Sequence, residues 1–318
     1  MKKVVLVENK SEIGAGTRGS SLGIDAVKIA ALNANSIYFK EANIVKIENE
    51  NDRLWEDINF ESAKRIKGVV KVYERISDTV KEILEKKKFP VLLSGDHSNA
   101  GGTIAGIKKA YPDKKLGVIW IDAHADLHSP YTSPTGNIHG MPLATALGED
   151  NLEYAVKEIS EEVKENWNKL KNIGGIEPKI LSEDLVFIGV RDTEDPEDYY
   201  ITNNKVKTIS VKQVRTTGAR EVTEQVLEYL KECEIIYVSF DVDSMDCDLI
   251  SYGTGTPVQN GLTDKEASGL INHFLIDKRV KCFEVVEINP CLDNRQNKMA
   301  ETAFRIMESA SAIIEKRG

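Results

Sequence analysis

Short, almost uninterrupted apolar runs recur along the chain, separated by longer stretches in which apolar residues return every three or four positions. The runs fall at 3–8, 90–94, 116–121, 185–189, 206–210, 235–240 and 281–287, and each has the length of a strand. Helical periodicity occupies roughly 61–87, 99–110, 155–171, 219–232, 264–276 and 297–315. Strands alternating with helices predict an α/β fold with a mostly parallel sheet covered by helices on both faces. No Pro/Ser-rich linker and no internal repeat interrupts the alternation, so residues 1–318 are expected to form a single domain. The charged stretch from Lys157 to Lys171 reads as an exposed helix with no function attached.

In open sheets of this kind, ligands bind beyond the carboxyl ends of the strands. Three of the predicted strands end in polar residues of one chemical type. Leu116–Ile121 runs into Asp122-Ala123-His124-Ala125-Asp126, which, if extended, would project Asp122, His124 and Asp126 from one face. Ile235–Phe240 runs into Asp241-Val242-Asp243, and Val91-Leu92-Leu93 leads to Gly95-Asp96-His97. An acidic doublet alone is usually a turn or a cap. Two carboxylates and an imidazole on one strand end are costly to bury unless something compensates them.

The candidate metal ligands are therefore His97, Asp122, His124, Asp126, Asp241 and Asp243. Four aspartates carry too much negative charge for one divalent ion and match the charge of two. Carboxylate and imidazole without thiolate suit Mn²⁺ or a similar divalent ion better than a structural zinc. Two ions about 3.5–4 Å apart can share a water and lower its pKa, so the implied chemistry is hydrolysis. Of five histidines, four (His97, His124, His128 and His139) fall in or near these strand ends, and His273 sits in a helical pattern.

Composition narrows the partners. A net charge of −9, with 41% hydrophobic and 29% charged residues, argues against nucleic acid or an anionic membrane surface. The four cysteines show no paired spacing. The amino-terminal residues lack a secretory pattern, and no run approaches the roughly 20 apolar residues that span a bilayer. The expectation is a cytoplasmic protein.

The motifs together resemble the ureohydrolase superfamily and, within it, the arginases. The resemblance covers about Gly14 to Pro290. It rests on Ser94-Gly-Asp-His-Ser98, on Asp122-Ala-His-Ala-Asp126 with Gly136-Asn-Ile-His-Gly140, on Ser239-Phe-Asp-Val-Asp243 with Gly255-Thr-Pro257, and on Glu287-Ile-Asn-Pro290. It implies a three-layer α/β/α fold, two Mn²⁺ ions held by the six ligands above, and a guanidino substrate hydrolysed to urea and an amine. A homo-oligomer, trimer or hexamer, is implied as well. Asp126 would also hydrogen-bond the hydroxide between the ions, His139 would pass a proton to the leaving amine, and Glu287 would receive the guanidinium. Thr256 matches a position near the guanidinium end. Arg18 matches an arginine at the rim, where a loop or subunit contact is an equal expectation.

The other end of the substrate matches less well. His128 stands where arginases carry an asparagine for the α-carboxylate, Thr135 stands for a serine, and Ser133 and Asn137 keep polar groups nearby. Glu194 aligns with the aspartate that reads the α-amino group, with Asp195 one residue away. The loop Asp246–Gly253 lacks the usual proline. His128 could meet a carboxylate, ligate a metal or block the pocket. The loop Thr132–Met141 nevertheless resembles arginases more than agmatinases, so the resemblance implies hydrolysis of L-arginine to L-ornithine and urea. The runner-up is another guanidino or formimino acid (as in guanidinobutyrase, formimidoylglutamase or agmatinase), followed by a non-catalytic metal-binding member.

Overall fold

The computed structural model describes residues 3–317. Its eight strands are β1 (Val4–Asn9), β2 (Ile44–Ile47), β3 (Phe89–Ser94), β4 (Leu116–Ile121), β5 (Leu185–Ile188), β6 (Lys207–Ile209), β7 (Ile235–Asp241) and β8 (Val280–Val286). They form one sheet in the order β2-β1-β3-β8-β7-β4-β5-β6, and every pairing is parallel. The four strands whose carboxyl ends carry the candidate chemistry, β3, β8, β7 and β4, are thus consecutive neighbours at the centre of the sheet. Every residue of β3, β4 and β7 is buried, which is why these strands read as continuous apolar runs.

Helices cover both faces. The first six are α1 (Gly23–Asn33), α2 (Tyr38–Glu41), α3 (Ile66–Glu85), α4 (Ala100–Ala110), α5 (Pro142–Leu147) and α6 (Glu161–Lys171). The remaining five are α7 (Asp195–Asn203), α8 (Val211–Thr217), α9 (Ala219–Tyr229), α10 (Asp264–Phe274) and α11 (Lys298–Lys316). Strand alternation divides the core in two. Ile119 and Ile121 of β4 pack with residues of α1, α9, α10 and α11, whereas Val118 and Trp120 of the same strand pack with α3, α4, α5 and α6. The architecture is the expected three-layer α/β/α. Among the described residues, no helix is long and apolar enough to cross a membrane.

Several elements escape the apolar pattern. β2 is a four-residue edge strand, half-exposed and interrupted by Lys46. The start of α7 hides in the polar run Glu194-Asp-Pro-Glu197, a capping box in which Glu197 accepts from the Glu194 amide. The helix expected over 155–171 begins only at Glu161. Ser160 caps it by accepting from the Val163 amide, and residues 155–159 peel away toward another loop.

α3 and α4 pack closely because α4 is built as Ala-Gly-Gly-Thr-Ile-Ala-Gly. A Cβ at Gly106 would stand 2.7 Å from the Ser77 carbonyl and 2.8 Å from Val80, leaving no room for a larger side chain. Gly106→Val should therefore lower folding stability by about 1–3 kcal/mol in urea denaturation, the usual cost of overpacking. An unchanged unfolding midpoint would show that the two helices separate freely.

Candidate active site

Three of the four strand ends, those of β3, β4 and β7, turn through an aspartate. The Asp96, Asp122 and Asp241 carboxylates accept from the backbone amides two residues on, Ser98 (2.8 Å), His124 (2.7 Å) and Asp243 (2.8 Å). Asp122–Asp126 is therefore a bend beyond β4. The extended segment that the alternation argument assumed is not present. The turns bring the ligands together by another route, with Asp126 at φ 51° and Glu287 at φ 65°. A carboxylate residue in the left-handed region is uncommon and costs energy, and such residues cluster where the surroundings hold a side chain in a required direction. Gly95 is required for a different reason: a Cβ there would lie 2.2 Å from the Ser11 carbonyl.

The six candidate ligands converge. His97 Nδ1 lies 2.9 Å from Asp122, 3.1 Å from Asp126 and 3.1 Å from Asp241. His124 Nδ1 lies 3.0 Å from Asp243 and 3.5 Å from Asp122. Two clusters of possible ligand atoms result, His97-Asp122-Asp241 and Asp122-His124-Asp243, sharing Asp122. Despite these short distances, neither His97 Nδ1 nor Asp122 Oδ2 makes a hydrogen bond of acceptable geometry. An imidazole nitrogen aimed among three carboxylate oxygens, yet aligned with none, is arranged around a cation rather than a proton. The donor set fits a pair of divalent metal ions.

Electrostatics agree. Burial and the charges of Asp243 and Asp122 push Asp241 well up, and burial with Asp122 pushes Asp126 up to about 6. Against burial, the surrounding carboxylates hold both His97 and His124 above the usual histidine range. Without metal, protons take the place of the missing positive charge.

A cavity of about 250 Å³ opens over these ligands. His139 and Glu287 line one part of it, with His139 Nδ1 3.4 Å from Glu287. Glu287 is fixed by the His97 amide, which donates to it at 2.8 Å. Thr256 lines the cavity and donates to Asp243 at 3.1 Å, so it touches a ligand directly. Ser133, Thr135, Asn137, His128 and Glu194 line the outer part. His128 points Nε2 toward Glu194 at 3.5 Å and takes Thr132 at Nδ1, too far out to belong to either ligand cluster. Burial and Lys157 push its imidazole down to about 4, so it is neutral near pH 7. Arg18 is absent from the cavity wall. Its guanidinium folds back onto the carbonyls of Glu12, Ala15 and Thr17, the loop contact that was one of its two expectations.

The model of the Arginase family matches residues 2–312. The chain is 35% identical over 311 residues to an arginase of Bacillus subtilis, covering 97% of both chains. The chain belongs to the arginase family. The fold agrees: an arginase structure from Bacillus caldovelox superposes with a TM-score of 0.80 at 32% identity, covering 98% of each chain. The Entamoeba histolytica arginase in complex with L-ornithine gives 0.82 at 25% identity, covering 98% of this chain and 99% of that one.

Three residues near this family's site, Asp192, Glu197 and Glu284, carried no sequence signal, and a fourth, Ser239, stood in a recognised motif without a role. Asp192 and Glu197 line the cavity, and Glu197 is nearly sealed from solvent. Each is one acid in an acidic stretch, which conceals it. Ser239 and Glu284 lie beneath the ligands. Ser239 Oγ meets His97 Nε2 at 2.8 Å, and Tyr237, two residues earlier on β7, donates to Glu284 at 2.6 Å. Glu284 is fully buried and also accepts from Ser94 at 2.5 Å, although in sequence it resembles an incidental strand acid. The Ser239 bond, with the His97 ring stacked at 4.0 Å on Trp120, fixes which nitrogen faces the ligands. Glu284→Gln should weaken divalent-metal affinity roughly 10–100-fold while the protein stays folded. Calorimetric metal titration with circular dichroism would check this, and undiminished affinity would reduce Glu284 to a space filler.

Proposed function

We propose that the protein hydrolyses L-arginine to L-ornithine and urea using two bound divalent cations, Mn²⁺ by preference. The carrying observation is that Glu287, His139 and two ligand clusters sharing Asp122 face one cavity. The family's members act on the guanidino group, and this chain matches them along nearly its whole length. A cytoplasmic location and a homo-oligomer, trimer or hexamer, belong to the same reading.

Bound cations would supply Lewis acidity that makes a water nucleophilic near neutral pH. Glu287 accepts parallel N–H bonds from the planar guanidinium and so places its carbon over the ligand cluster. Asp126, held at positive φ, orients the attacking water. Attack at carbon and cleavage of the carbon–nitrogen bond to the tail leave an amine that needs a proton. His139 supports that transfer because, against burial, Glu287 raises its imidazole above the usual histidine range and so favours the proton-carrying form. A second reading, another guanidino or formimino acid, is favoured by one feature: His128 and Glu194 meet at the tail end of the cavity, where the arginase pattern has asparagine and aspartate.

Urea release with Mn²⁺ should be robust on L-arginine and weak on agmatine and guanidinobutyrate. Silence on arginine with activity on another substrate would overturn the arginine assignment while leaving the hydrolase intact. His139→Ala should lower kcat about 10²–10⁴-fold with metals retained. Loss of metal from that variant would contradict the separate role given to His139.

A further inference from the structure

The outer cavity is chemically two-sided. One wall carries Asp192, Glu194 and Glu197, and the other carries Ser133, Thr135 and Asn137, with His128 between them. The acidic wall suits the α-ammonium of an amino acid. The opposite wall offers only neutral donors to a carboxylate, inside a cavity crowded with acids, so geometry alone gives a carboxylate tail little advantage.

Behind that neutral wall lies a cation that the sequence left without a role. Residues 155–159, which leave the expected helix, are strapped onto the loop that forms the wall. The Val156 amide donates to the Tyr131 carbonyl at 3.0 Å, and Lys157 Nζ donates to the Ser133 carbonyl. Lys157 is half-buried, and among the described residues no carboxylate pairs with it. In a chain of net charge −9, an ammonium left uncompensated beside the active cavity is unusual. Through its contact with the Ser133 carbonyl the ammonium stands one peptide group behind Ser133, a residue of the cavity wall.

We propose that Lys157 is a specificity-determining residue that selects substrates bearing a tail carboxylate, by placing the positive charge behind the Ser133–Asn137 wall. The inference rests on the guanidino-acid reading above. The lysine acts across the Ser133 peptide, so it contributes charge and loop position and takes no part in bond making. A unit charge at this range inside a half-buried site changes affinity by roughly tenfold.

The test compares Lys157→Met and Lys157→Arg in the Mn²⁺-loaded protein. L-ornithine and putrescine, which differ by the carboxylate, serve as competitive inhibitors. For Lys157→Met, KM for arginine and Ki for ornithine should rise roughly tenfold, with kcat within about twofold and Ki for putrescine unchanged or lower. Lys157→Arg should restore the wild-type values. Equal weakening of ornithine and putrescine would mean that Lys157 only straps the loop and would overturn the proposal, as would no change in either. Failure of the arginine assignment is a separate outcome, because it appears in the wild type. If the wild type prefers guanidinobutyrate, the same ornithine-to-putrescine ratio is read against that substrate.

Discussion

Everything at this site follows from four aspartates packed around two imidazoles at the floor of a cavity. An uncompensated buried carboxylate costs several kcal/mol, and Asp122, Asp241 and Asp243 are almost wholly excluded from solvent. The fold bears this charge in two ways: protons on the histidines and on the raised aspartates, or metal cations that the same oxygens and nitrogens are placed to hold. The absence of an aligned hydrogen bond at His97 Nδ1 and Asp122 Oδ2 favours the second as the state for which the geometry is made. A proton satisfies one carboxylate at a time, whereas a divalent ion satisfies three or four donors at once.

The sheet makes such a concentration of charge mechanically possible. Four adjacent parallel strands end side by side; aspartate side chains hold the turns after β3, β4 and β7, and Asp126 and Glu287 take the left-handed backbone. Beneath them, the Tyr237–Glu284 and Ser239–His97 bonds, both made from β7, tie the site to the apolar core. Above them the cavity grades from ligands, through Glu287 and His139, to an outer zone with an acidic and a neutral wall. In the function proposed, chemistry and specificity are built by different segments. Strand ends supply the first. The loops 128–137 and 192–197 and the strap at 156–157 supply the second.

The legible part of this arrangement was the part with short-range signatures. Buried strands announce themselves as apolar runs, and ligands one or two residues past them appear as acidic or histidine doublets. Their convergence was inferable because the carboxyl ends of parallel strands share one side of the sheet. The strand order was not legible, since nothing local distinguishes a neighbour of β3 from a neighbour of β4. Asp122–Asp126 was read as extended because alternation matched, but side-chain-to-backbone bonds bend it. Glu197 and Lys157 were hidden among other charged residues, and Glu284 passed for an incidental acid in an apolar strand; only tertiary packing separates a buried, directed group from a solvated one.

The most direct test is calorimetric titration of metal-stripped protein with Mn²⁺ in two buffers of different ionisation enthalpy at neutral pH. The account predicts two ions bound per chain with release of protons, because the imidazoles and raised aspartates must give up protons to become ligands. Binding of no ion or of one, or binding without proton release, would contradict the view that this cluster is built around a pair of cations.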